Sequence, residues 1–298
     1  MDKIKVGIPR GLSYYYFSNM WDIFFKELDI EVVKSPPTNK EIVDKGTCLA
    51  NDEMCLSLKI YIGHVDYLKD KVDYIIVPRI DNYGIDNQTC TNFLAVYDIV
   101  NNLFNVKVLD YNISSKNDEL SEFLKIGKIL NKKRFEIIKA YKKAYLENER
   151  YKQNKIKENY LKLKSDRMKI LLISHSYNTY DEYIGKPIIN YLQELGVDII
   201  YSDRFDEKKA NKLSLELSKT IYFKYCKDAT GSIKLAPNVD GIIFLSSFPC
   251  GLDSLVNELV MRRINKPYIN LVVDDMDSLT GIKTRLESFV DILEQKNS

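Results

Sequence analysis

Five cysteines and two histidines are the side chains of this 298-residue sequence best suited to hold a metal or carry electrons. Three of the cysteines share a setting. Cys55 falls in the first turn of a predicted helix opened by Asn51 and Asp52. Cys90 follows an apolar strand and a polar loop, Asp81 to Thr89, and opens the next helix. Cys250 stands in Phe-Pro-Cys-Gly-Leu-Asp-Ser, after the strand Gly241-Ile-Ile-Phe-Leu and just before a helix. In open α/β sheets ligands bind at the edge where strands end. A helix N-terminus also stabilises the thiolate, the form of cysteine that binds metal. Three such thiolates would hold an iron–sulfur cluster with one iron left open. On spacing alone the better reading is three unrelated buried cysteines, which cytosolic proteins carry routinely. Cys48 is near enough in sequence to Cys55 to be a fourth ligand, and Cys226, on helical sequence, reads as structural.

The remaining polar residues divide in the same way. His175, Tyr177, Asn178 and Asp181 occupy the loop after the first strand of the second half, at the presumed ligand edge. His175, Tyr177 and Asp181 are therefore the catalytic candidates; the alternative is that Asn and Asp satisfy backbone groups of a turn. His64 reads first as a packing or capping histidine, with proton relay as its functional alternative. Arg79 and Lys59 would neutralise a cluster or phosphate. Gly7 and Gly11 flank Ile-Pro-Arg in a loop that reads as a plain turn. The sequence contains no G-x-G-x-x-G, no P-loop, no G-x-S-x-G and no C-x-x-C, which argues against an ordinary dehydrogenase, nucleotide hydrolase, serine hydrolase or zinc ribbon.

Alternating elements must position these residues. Strands are expected at Lys5 to Pro9, Ile30 to Val33, Asp73 to Pro78 and Val106 to Leu109, with helices between them. Tyr14, Phe17, Trp21 and Phe25 form one stripe of the first helix. Thr38 and Glu41 make a capping box for a short helix ended by Gly46. From Lys116 to Lys164 the sequence turns rich in Lys, Glu, Tyr and Asn, a helical insert of two helices meeting near Asn131 with a solvated charged face. A second block follows: strands at Met168 to Ile173, Asp198 to Tyr201, Gly241 to Leu245 and Tyr268 to Val273, and helices at Ile184 to Leu195, Ala210 to Cys226, Ser254 to Ile264 and Ile282 to Glu294. The expected architecture is α/β: two Rossmann-like (flavodoxin-like) parallel-sheet domains, 1–112 and 167–298, joined by a helical insert at 113–166.

Composition agrees with a globular chain: 45% hydrophobic, 29% charged, net charge +2. That balance gives no pull toward nucleic acid, and no apolar run approaches the roughly 20 residues of a membrane span. The opening Met-Asp-Lys-Ile-Lys-Val-Gly-Ile reads as a strand and not a signal peptide, so a cytoplasmic location is expected.

Several segments, in order along nearly the whole sequence, carry a resemblance to a known family. They include Lys-Val-Gly-Ile-Pro-Arg-Gly-Leu near the start, Ser-Pro-Pro-Thr-Asn-Lys-Glu-Ile (35–42), Asp-Glu-Met-Cys-Leu-Ser-Leu-Lys (52–59), Gly-His-Val (63–65) and Val-Asp-Tyr-Ile-Ile-Val-Pro-Arg (72–79). Ser-Tyr-Asn-Thr-Tyr-Asp-Glu-Tyr-Ile-Gly-Lys-Pro (176–187), Phe-Pro-Cys-Gly-Leu-Asp-Ser (248–254) and Thr-Arg-Leu-Glu-Ser-Phe (284–289) continue the series. The sequence resembles the acyl-CoA dehydratase activase-related proteins, of the 2-hydroxyacyl-CoA dehydratase and benzoyl-CoA reductase superfamily. The resemblance implies a [4Fe-4S] or related double-cubane cluster held by Cys55, Cys90 and Cys250. It also implies electrons supplied by an ATP-hydrolysing, actin-like activase and passed at low potential to a small molecule or acyl-CoA, with a homodimer among the expected assemblies. A non-catalytic electron-transfer or scaffold partner, and a cluster-free α/β binding module, are the alternatives. Two features depart from the family pattern. Leu56-Ser57 and Thr91 stand where proline is usual, and Asp274-Asp275-Met276-Asp277 replaces an Asp-Glu-His sequence.

Overall fold

A computed structural model describes residues 3–274, 276 and 278–297. It divides into two compact units, Met1–Lys152 and Gln153–Ser298. The elements run β1 (Lys5–Ile8), α1 (Tyr14–Glu27), β2 (Glu31–Lys34), α2 (Lys40–Leu49), α3 (Leu56–Leu68), β3 (Tyr74–Ile80), α4 (Thr91–Leu103), β4 (Val108–Ile113), α5 (Glu119–Ile129) and α6 (Arg134–Leu163). They continue β5 (Lys169–Ile173), α7 (Ser176–Thr179), α8 (Gly185–Glu194), β6 (Asp198–Tyr201), α9 (Glu207–Leu217), α10 (Lys224–Leu235), β7 (Gly241–Ser247), α11 (Gly251–Met261), β8 (Tyr268–Val273) and α12 (Thr280–Asn297). The boundary between units falls inside α6. None of these helices is long and apolar enough to cross a membrane.

Each unit holds a four-stranded, fully parallel sheet, and the two sheets have the same order: β2-β1-β3-β4 and β6-β5-β7-β8. The expected α/β class with two parallel-sheet domains is therefore what the chain forms. Central strands are buried: Ile75, Ile76 and Val77 of β3 are inaccessible, and all seven residues of β7 are buried. The edge strand β4 alternates buried and half-buried positions instead, because only one of its faces is fully covered.

In the first unit the α1 stripe fills the core from one side. Phe17 and Trp21 contact Tyr111 of β4 at ring-centroid distances of 5.5 and 5.6 Å, and Phe24 meets Phe123 of α5 at 4.4 Å. Phe123 is inaccessible, so α5 is part of this core. The two helices expected to meet near Asn131 do so, and Asn131, at φ 57°, makes a left-handed turn between α5 and α6. The lysine-rich α6 behaves as a solvated helix: Arg150, Lys152 and Lys155 pair with Glu147, Glu149 and Glu158 three residues away.

Three local readings are corrected. Asn39, not Thr38, caps α2, its Oδ1 accepting the Ile42 amide at 3.0 Å, because the Thr38 hydroxyl is engaged by His64 Nε2 at 3.0 Å. Gly46 does not end α2, which continues to Leu49. A Cβ at Gly46 would overlap the Lys59 carbonyl of α3, and one at Gly63 would overlap the Ile42 carbonyl of α2. This reciprocal pair of glycines lets two helix backbones touch. Finally, the helix expected from Ala210 to Cys226 is two helices, because Thr220 N donates to Ser218 Oγ and Ser218 adopts an extended backbone. Of the acidic loop, Asp274 is exposed; Asp275 and Asp277 lie outside the described residues.

The α2–α3 crossing sets a prediction. Gly46→Ala should destabilise the chain by about 3 kcal/mol, the upper end for overpacking, since the obstacle is backbone and not a movable side chain. Gly281→Ala, with open space around it, should cause no loss. Denaturant unfolding of the two variants checks this.

Candidate functional site

Cys55, Cys90 and Cys250 are the N-cap residues of α3, α4 and α11. Cys55 is thus one position outside its helix and not in the first turn. Asn51 accounts for the shift: its Oδ1 accepts the Glu53 amide at 3.0 Å and its carbonyl accepts Met54 N, closing a turn before α3 begins. All three caps have extended backbone and are half-buried. An N-cap side chain faces the unpaired amides of the first helical turn, a setting that favours negative charge. At Cys250 the contact is direct, with Asp253 N donating to Sγ at 3.4 Å. In the first unit, Asn92, two residues beyond Cys90, donates through Nδ2 to Cys55 Sγ at 3.6 Å, so the caps of α3 and α4 are neighbours. No disulfide links any of the five cysteines.

Cys48 lies in a different field. It is the ninth of ten residues of α2, exposed, at the helix end whose carbonyls disfavour a thiolate. Lys59 donates to the Asp52 carbonyl at 3.1 Å, and Arg79 pairs with Asp98 at 2.9 Å while its guanidinium lies over Tyr97. Both are held by local partners.

In the second unit, His175 caps the single-turn helix α7 at the end of β5. Its Nε2 donates to Asp253 Oδ1 at 2.8 Å, and its ring stacks on Tyr177 with centroids 4.9 Å apart. Both residues are buried. Asp181 is also buried and its Oδ1 accepts the amides of Tyr183 and Ile184, so its carboxylate serves the turn that leads into α8. The sequence reading missed Asp253 as a partner. Its place in Cys-Gly-Leu-Asp, three residues into a helix, was the available signal.

A family model described as "CoA enzyme activase uncharacterised domain (DUF2229)" matches residues 5–205. The chain belongs to that family. The matched stretch contains Cys55, Cys90, His64 and His175 and ends before Cys226 and Cys250. No curated protein sequence matches this chain. Among solved structures, the periplasmic zinc-binding protein TroA from Treponema pallidum is similar at 11% identity over 98% of this chain and 99% of that one, with a TM-score of 0.30. The laminin-binding adhesin Lmb from Streptococcus agalactiae is similar at 12% identity over 98% and 100%, with a TM-score of 0.31. At such scores the likeness carries no argument about function.

His64, an inaccessible residue of α3 whose Nε2 meets the Thr38 hydroxyl, is a neutral packing histidine. Burial, with the nearby Arg10 charge adding to it, holds its pKa down at about 3. In the unfolded chain it titrates near 6.5. Below that pH the unfolded state takes up a proton that the folded state refuses until about 3, so its contribution to stability is lost as pH falls through this window. The slope from this one group is about 1.4 kcal/mol per pH unit. His64→Gln, which retains a partner for Thr38, should show a correspondingly shallower loss of urea stability between pH 7 and pH 5 than the wild type. Equal slopes would contradict the neutral, buried state.

Proposed function

We propose that the chain is an iron–sulfur protein of the CoA-enzyme activase system, with Cys55, Cys90 and Cys250 as cluster ligands. It takes electrons from an ATP-hydrolysing activase of the actin-like type and passes them at low potential to a small substrate, an acyl-CoA by analogy with 2-hydroxyacyl-CoA dehydratases. The observation that carries this reading is the repeated N-cap placement of these three cysteines. The donor set fits the group. Thiolates are the ligands of [4Fe-4S] and related clusters, and hydrogen bonds to sulfur of the kind made by Asp253 N and Asn92 Nδ2 tune the potential of such a centre. Bound there, a cluster supplies one-electron chemistry that no side chain of the protein provides. The protein's own part is to hold the sulfurs as thiolates at the positive ends of three helices and to leave them half-buried. Family membership supports the activase as partner.

Anaerobic reconstitution with iron and sulfide tests the ligand set. Cys55→Ala, Cys90→Ala and Cys250→Ala should each lose most of the bound iron and sulfide and the visible charge-transfer absorption. Cys226→Ala should retain all three signals. Loss in Cys48→Ala would add that residue as a fourth ligand. Wild-type protein that acquires no sulfide, or three single variants that all match it, would return the chain to a cluster-free α/β binding module.

A further inference from the structure

We infer that His175, Cys226 and Asp253 form a binding site for one divalent cation of the zinc type, separate from the three helix-capping cysteines. A ring nitrogen of His175, Sγ of Cys226 and a carboxylate oxygen of Asp253 all lie within 4.8 Å of one another. They come from three elements of one unit: His175 from the end of β5, Cys226 from the third position of α10, and Asp253 from the third position of α11. All three are more than nine-tenths buried, at 7%, 3% and 6% exposure. The break between α9 and α10 produces this convergence, since it turns Cys226 from the end of one long helix into the first turn of another.

Two further observations point to a ligand. Nδ1 of His175 and Oδ2 of Asp253 are buried without a hydrogen-bond partner. A buried carboxylate or imidazole atom left without a partner is destabilising, so this pair asks for a cation or a donor. The three residues also line a small cavity together with Ile173, Leu245, Val256 and Asn257. Its volume is about 10 Å³, room for about one water or ion.

Chemistry selects the occupant. A thiolate and a carboxylate bring two negative charges, so a divalent ion gives a neutral site, the arrangement that an apolar wall tolerates best. Sulfur and imidazole ligands select against magnesium and calcium and suit zinc or cobalt. Ligand atoms around tetrahedral zinc, at bonds of about 2.0–2.3 Å, lie roughly 3.5 Å apart. The observed set therefore needs only small side-chain adjustments. The same three residue types could be arranged as a nucleophile, base and orienting acid, but a cavity this small has no room for an organic substrate.

The site does not rest on the cluster proposal, and the test separates them. The full chain carrying Cys48→Ser, Cys55→Ser, Cys90→Ser and Cys250→Ser has Cys226 as its only thiol. Stripped of metal and titrated with Co²⁺, it should bind one ion per chain with thiolate-to-cobalt charge-transfer absorption, displaced by Zn²⁺. Adding His175→Gln or Asp253→Asn should weaken binding at least tenfold, with circular dichroism confirming that each variant is folded. Absence of the charge-transfer band at saturating Co²⁺, or affinity unchanged by His175→Gln, would overturn the inference. Should the four-serine chain not fold, wild type and Cys226→Ala are compared directly: one Co²⁺ fewer per chain is expected, and equal binding overturns the site.

Discussion

Parallel pairing is the constraint from which the rest of this structure follows. Each pair of parallel strands obliges the chain to cross back by a helix, so the helix that follows a strand begins at the sheet edge where strands end. That edge collects the positive ends of the helices and their unpaired amides, and it is the natural address for anionic sulfur. Cys90 follows β3 and Cys250 follows β7, the inner strands of their sheets, and each becomes the cap of the next helix. Cys55 reaches the same kind of position at the start of α3, the helix that leads into β3. Each unit repeats the strand order, so one topological rule acts twice in one chain.

The first turn of α11 shows how closely this edge is used. Its cap, Cys250, presents sulfur to the Asp253 amide, while the Asp253 side chain points the other way in function and engages His175. One turn of helix thereby joins a half-buried thiol to a buried polar group. Any change that displaces Asp253 affects both, the backbone donor to sulfur and the carboxylate partner of the histidine. The Asp253→Asn substitution keeps the backbone donor and the side-chain volume and removes only the carboxylate that engages His175.

Much of this was legible because periodicity and turn chemistry are local. The apolar runs of β3 and β7, the α1 stripe and the junction of α5 and α6 near Asn131 follow from residue type alone. What escaped depends on distant contacts. Gly46 has the local look of a helix end, and only the Lys59 carbonyl pressing on it explains why the helix runs on. Thr38 is a good cap by type, but His64, 26 residues away, takes its hydroxyl. The cysteines divide likewise. Cys55, Cys90 and Cys250 could be found from their neighbours in sequence, whereas the company of Cys226 is set by residues 51 positions before it and 27 after it.

Burial then separates what five chemically identical thiols can do. A cluster that exchanges electrons with a partner needs sulfur near the surface, with backbone amides to moderate its charge; the half-buried caps meet that need. A thiol at 3% exposure among Ile173, Val256 and Ala229 meets the opposite one. There a lone negative charge would be costly, and a single ion sharing it with imidazole and carboxylate removes the cost while closing the core around itself. Cys48, exposed at the negative end of α2, has neither support. The same side chain thus takes different chemistry from its position relative to helix ends and core, and that position is decided by the parallel sheets beneath it.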